Sequence, residues 1–208
     1  WERHPADRAR LVGSVAVLAL GCALVAWRPH TVRAASADVV QLLGRLPEVV
    51  QAVLAGGLQL SAVAAPALAL ALLAGARRWR ALVVTVGAAA VAAATMAALK
   101  GWLDRIVPPT AVAQAADESW LAGQAFPSGA YLAGVAAAAT ILLPGTPRRW
   151  RRWIVMAVAL AATCRVLTAT AVPVNVVVML ALGAAVGSAA LVILGAPTRR
   201  ASTTDAAA

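Results

Sequence analysis

Long apolar runs broken by short basic clusters set the pattern of this chain. Six stretches, at about 10–27, 57–76, 81–99, 128–144, 153–170 and 175–196, are almost free of charge. Each is close to the roughly 20 apolar residues that a helix needs to cross a hydrocarbon layer of about 30 Å. Residues 36–54 differ. Val39, Leu42, Leu43, Leu46, Val50 and Val53 recur at helical spacing, with Asp38, Gln41, Arg45 and Glu48 on the other face. That pattern predicts an amphipathic helix lying on the membrane surface or over the bundle, weakened by Pro47. The expected fold class is therefore an all-α integral membrane protein, a six-transmembrane-helix bundle.

Composition agrees with this reading. The chain has 208 residues, of which 62% are hydrophobic, against about 45–50% in soluble domains. Its net charge of +10 comes from arginines that flank the apolar runs. Arg3, Arg8 and Arg10, then Arg77, Arg78 and Arg80, then Arg148, Arg149, Arg151 and Arg152, then Arg199 and Arg200 fall on one side of the expected membrane. On the other side, Arg28, Arg33, Arg45, Lys100 and Arg105 are offset by Asp38, Glu48, Asp104, Asp117 and Glu118. An excess of basic residues marks the cytoplasmic side, so both termini are expected there.

The runs "RRWR" and "RRWRRW" border helices, where tryptophan favours the headgroup region and arginine meets anionic lipid. Nucleic acid would need a soluble basic face, so it is not an expected partner. Alanine-rich, lysine-poor usage points to a GC-rich genome, and the expected location is the plasma membrane of a bacterium. The run from Leu11 to Trp27 is followed by Trp27-Arg28-Pro29 rather than a small-residue cleavage site, and is expected to stay as a membrane helix. The chain opens on Trp1, as a piece of a longer chain would. One domain is expected over 1–197, with a polar cytoplasmic tail at 198–208. Cys22 and Cys164 sit inside apolar runs and read as packed thiols. No metal site or cofactor is expected.

Three segments converge on the outer side: "KGWLDRIVPP" (100–109), "PSGA" (127–130) and "CRVLTATAVPVN" (164–175). Lys100 and Arg165 are charges at or inside the apolar zone, which are costly unless a partner or ligand uses them. Ser128 and Gly129 open a helix, where unbonded N–H groups favour an anion, and glycine permits close backbone approach. Blander roles compete: Lys100 as a snorkelling side chain, Ser128 as a plain helix cap, Arg165 as an internal structural contact. Together on one face, the three read as an anion site.

In order and spacing these segments resemble the type 2 phosphatidic acid phosphatase family of membrane phosphatases. The family pattern is Lys-x6-Arg-Pro, then Pro-Ser-Gly-His, then Ser-Arg-x5-His-x3-Asp. The resemblance implies a phosphate held by Lys100, Ser128, Gly129 and Arg165. It also implies that the catalytic positions are lost. Val107 replaces the first-motif arginine, which Arg105 could partly supply from two positions earlier. Ala130 stands where the acid histidine belongs, Cys164 replaces the serine, Ala171 replaces the nucleophilic histidine and Asn175 replaces its orienting aspartate.

A methyl group can neither attack phosphorus nor donate a proton, and loss of a nucleophile alone costs about 10⁶-fold in studied hydrolases. The expectation is thus not an enzyme but a pseudophosphatase. It would bind an anionic phospholipid or a polyprenyl phosphate at the extracytoplasmic face, for presentation or sensing. The alternatives are a structural or regulatory membrane domain of a larger protein or complex, with no ligand of its own, and, less favoured, a lipid or anion carrier.

Overall fold

The computed structural model describes residues 5–27, 47–106, 128–167 and 173–195. Among them the chain is all helical: α1 (Pro5–Trp27), α2 (Glu48–Gly75), α3 (Trp79–Ile106), α4 (Gly129–Gly145), α5 (Arg148–Leu167) and α6 (Pro173–Leu194). Three helical stretches, Pro5–Trp27, Trp79–Trp102 and Val174–Leu194, are long and apolar enough to cross a membrane. On α3 the exposed Trp79 and Trp102 lie about 34 Å apart along the axis at 1.5 Å per residue. That separation is close to the thickness of a hydrocarbon layer of about 30 Å.

The amphipathic helix expected at 36–54 falls mostly outside the described residues. Where they begin, Pro47 precedes α2 in the N-cap position, and Glu48 starts a helix that runs unbroken to Gly75. Proline is tolerated here because its missing N–H lies ahead of the helical ladder. Residues 48–54 are therefore the opening turns of α2.

α4 and α6 form the centre. They run parallel, with Gly129 beside Met179, Gly183 against Ala133 and Gly187 against Ala137. A Cβ on Gly183 would collide with the Ala133 carbonyl oxygen, and one on Gly187 would lie 2.7 Å from the Ala137 carbonyl oxygen. The two backbones are in contact because these positions lack side chains. In a membrane, where lipid is as apolar as leucine, such packing is a main attraction between helices. The "GAAVG" spacing of 183–187, weak evidence in so alanine-rich a sequence, is the seam that joins these helices.

α3 lies antiparallel to α4. Ala92, Met96 and Leu132 share one buried cluster towards one end, and Ala88 and Ile141 share another towards the other. α1 covers α6, its C-terminal half (Leu18, Cys22, Val25) packed with Val174, Val176 and Val178. α2 and α5 pair on the outside of this four-helix centre. Apolar side chains also cover the exterior, among them Val12, Leu20, Val83, Leu72, Val155 and Ile193. A bundle that is apolar inside and out suits a lipid solvent.

The basic runs lie at helix ends on one side of the bundle. Arg77 closes α2 in a left-handed conformation (φ 52°), with its N–H bonded to the Ala74 carbonyl and the Arg78 N–H bonded to the Leu73 carbonyl. This is the double-bonded helix stop that usually takes glycine. Arg151 donates from Nε to the Thr146 carbonyl (3.0 Å) and from Nη2 to the Pro144 carbonyl (3.4 Å), tying the α4–α5 turn. Arg10 pairs with the buried Asp7 at 3.2 Å in the first turns of α1.

Replacing Gly183 with alanine is expected to lower stability by about 1–3 kcal/mol through overpacking against backbone. Gly87→Ala, at an exposed helical glycine with nothing near its Cβ position, should leave stability equal or raise it by up to about 1 kcal/mol. Thermal unfolding of the two variants in one detergent checks the contrast.

Candidate anion site at one end of the bundle

The seam between α4 and α6 fixes the start of α4, and the site is built around that start. Ser128 has extended backbone (φ −70°, ψ 159°), and its hydroxyl oxygen accepts the Tyr131 N–H at 3.1 Å. The first intrahelical bond runs from the Leu132 N–H to the Ser128 carbonyl at 3.0 Å. The N–H groups of Gly129 and Ala130 precede that ladder and have no helical carbonyl to meet. They lie at the positive end of the helix dipole, where an anion is favoured. The Ser128 oxygen is engaged as a cap, but a hydroxyl that accepts a bond keeps its proton to donate. Ser128 is exposed, so that proton can point outward.

Arg165 reaches this place from the last turn of α5. It is only 6% exposed, and its Nη2 comes within 3.5 Å of where a Gly129 Cβ would stand. A Cβ at 129 would collide with Met179 and stand in ordinary contact with the guanidinium. A cation in the last turn of α5 also complements the negative end of that helix. Cys164, next to it in the chain, is fully buried.

Met179 was not foreseen from the sequence. Its Sδ and Cε lie 3.1 and 2.8 Å from the Gly129 Cβ position, so it walls the site on the α6 side. No pattern in the sequence singles it out, since any apolar residue one turn beyond Asn175 would read alike. Asn175 itself stands in the first turn of α6. Its Oδ1 is buried and, among the described residues, has no hydrogen-bond partner.

Of the residues expected to hold phosphate, Ser128, Gly129 and Arg165 are thus brought together. Lys100 and Arg105 lie on the last turns of α3, at the same end of the bundle, and both are exposed. Ala130 is partly buried in the first turn of α4. Val107, Pro127 and Ala171 are outside the described residues.

Chemically, the arrangement offers a guanidinium, two open backbone N–H groups and a hydroxyl. Each can donate to an anion. Within Gly129–Gly145, Arg148–Leu167 and Pro173–Leu194 there is no histidine, aspartate or glutamate to move a proton. Compared with known proteins, the chain matches no family model, no curated protein and no solved structure.

Ser128→Ala should cost about 1 kcal/mol of stability by removing the cap, and Ser128→Asp should keep most of it. Unfolding midpoints of the two variants beside the parent check the ranking.

Proposed function

We propose that this chain is a degenerate member of the type 2 phosphatidic acid phosphatase family that holds a phosphorylated lipid headgroup without cleaving it. In this reading all six helices span the membrane, both termini are cytoplasmic, and the anion site opens on the extracytoplasmic side of a bacterial plasma membrane. The ligand is an anionic phospholipid or a polyprenyl phosphate, held for presentation or sensing.

The observation that carries the reading is the buried Arg165 guanidinium beside Gly129, at the open N-terminus of α4. A guanidinium beside the unbonded N–H groups of a helix start offers a phosphate charge-assisted bonds from both. The substitutions at the acid, nucleophile and orienting positions (Ala130, Ala171, Asn175) remove catalysis and leave the donors. A structural role without a ligand is the second reading. It draws support from the Ser128 oxygen, which serves its own helix, and from Met179, which packs tightly on Gly129.

Native mass spectrometry of the purified chain beside Arg165→Ala and Arg165→Lys separates the two. The expected result is a defined lipid phosphate on the parent, lost in the alanine variant and partly kept in the lysine variant. A folded parent carrying no lipid phosphate would refute the binding reading and leave the scaffold.

A further inference from the structure

The end of the bundle opposite the candidate anion site is strongly basic. There α2 stops and α5 starts, and these two helices pair, so clusters far apart in the sequence meet at neighbouring helix ends. Arg77 and Arg78 stand at the stop of α2, and Arg149 and Arg152 in the first turns of α5; all four are exposed. Arg151 differs, because the α4–α5 turn uses its guanidinium. No aspartate or glutamate occurs from 49 to 103 or from 119 to 204, so the helices α2 to α6 place no carboxylate at this end. Asp7 on α1 is buried and pairs with Arg10.

A second observation is what adjoins the arginines. Trp79, Trp150 and Trp153 are exposed beside them, and exposed apolar side chains continue from both clusters along the bundle, Leu68 and Leu72 on α2, Val155 and Met156 on α5. Arg152 precedes Val155 and Met156 at the spacing of one helix face. A partner lying along this surface meets guanidinium at the helix ends and hydrocarbon beyond them. Nucleic acid or an acidic peptide complements only the first. An anionic lipid complements both, with the indoles at the level of its headgroup.

Orienting a chain in the membrane needs only basic charge near the helix ends. Two arginine clusters on paired helices offer more, since guanidinium forks take phosphate oxygens two at a time. A lipid with two phosphates on a short linker reaches the second cluster intramolecularly once the first is engaged. Effective concentration then favours it over two separate lipids.

We infer that the paired ends of α2 and α5 form a lipid site selective for a lipid with two phosphates, with Arg77 and Arg78 on one phosphate and Arg149 and Arg152 on the other. It is separate from the site at Gly129 and does not depend on headgroup binding there.

The test is competition at equal lipid phosphate. The full chain, stripped of lipid, is offered tetraoleoyl cardiolipin and dioleoyl phosphatidylglycerol, and bound lipid is read by native mass spectrometry. The parent should favour cardiolipin by about tenfold. Arg149→Gln with Arg152→Gln should erase that preference, and so should Arg78→Gln with Arg77→Gln. Arg149→Lys with Arg152→Lys, which keeps the charge that orients insertion, should lower it about threefold by removing the forks. Arg8→Gln, an equal kind of charge loss at the same end but on α1, should leave it unchanged.

Phosphatidylglycerol bound as well as cardiolipin by the parent would overturn the two-phosphate selectivity. A preference kept by the glutamine and lysine pairs would overturn the site. A loss as large in Arg8→Gln would show diffuse attraction in place of a site. Displacement of cardiolipin by an equal concentration of its deacylated headgroup would overturn the assignment to a lipid.

Discussion

Everything at the candidate site depends on how closely α4 and α6 approach. Gly183 and Gly187 let the α6 backbone rest on the Ala133 and Ala137 carbonyls, and this contact sets the height at which α4 begins. From it follow the position of the open N–H groups at Gly129 and Ala130, the wall formed by Met179, and the gap into which Arg165 turns. The candidate residues come from three helices, but their mutual placement is set by residues that have no side chain. In a bundle surrounded by lipid, apolar area alone does not choose one packing over another, and the fit of small residues does.

Much of this was legible in the sequence, and for identifiable reasons. Each of the six apolar runs falls on a helix because long uncharged stretches bounded by arginine leave few other structures open to the backbone in lipid. The basic clusters fall at helix ends on one side of the bundle, and tryptophans mark the ends of α3. The meeting of Ser128, Gly129 and Arg165 follows from counting helices, since the end of an odd-numbered run and the start of an even-numbered one share a side. What stayed hidden needed contacts rather than periodicity. In an alanine-rich chain, "GAAVG" has no contrast, and only geometry shows which small pairs meet a carbonyl. Met179 carries no signature, and Arg151, read as a topology signal, also closes the α4–α5 turn through two carbonyls. The periodicity at 36–54 ran past Pro47, where α2 begins.

Donors and proton movers separate cleanly in this chain. The groups near the start of α4 that can grip an anion are a guanidinium, a hydroxyl and backbone N–H groups, none of which transfers protons readily near neutral pH. The positions at which the phosphatase pattern that the sequence resembles has its acid, its nucleophile and its orienting carboxylate are alanine, alanine and asparagine.

The central claim is retention without cleavage, and phosphorus NMR of the full chain in lipid nanodiscs seeded with phosphatidylglycerol and phosphatidic acid tests both halves in one sample. The account predicts a lipid phosphate resonance shifted or broadened in proportion to protein, with no growth of an inorganic phosphate signal. Inorganic phosphate accumulating at a rate set by protein concentration would contradict it, and so would lipid resonances that the protein leaves unchanged.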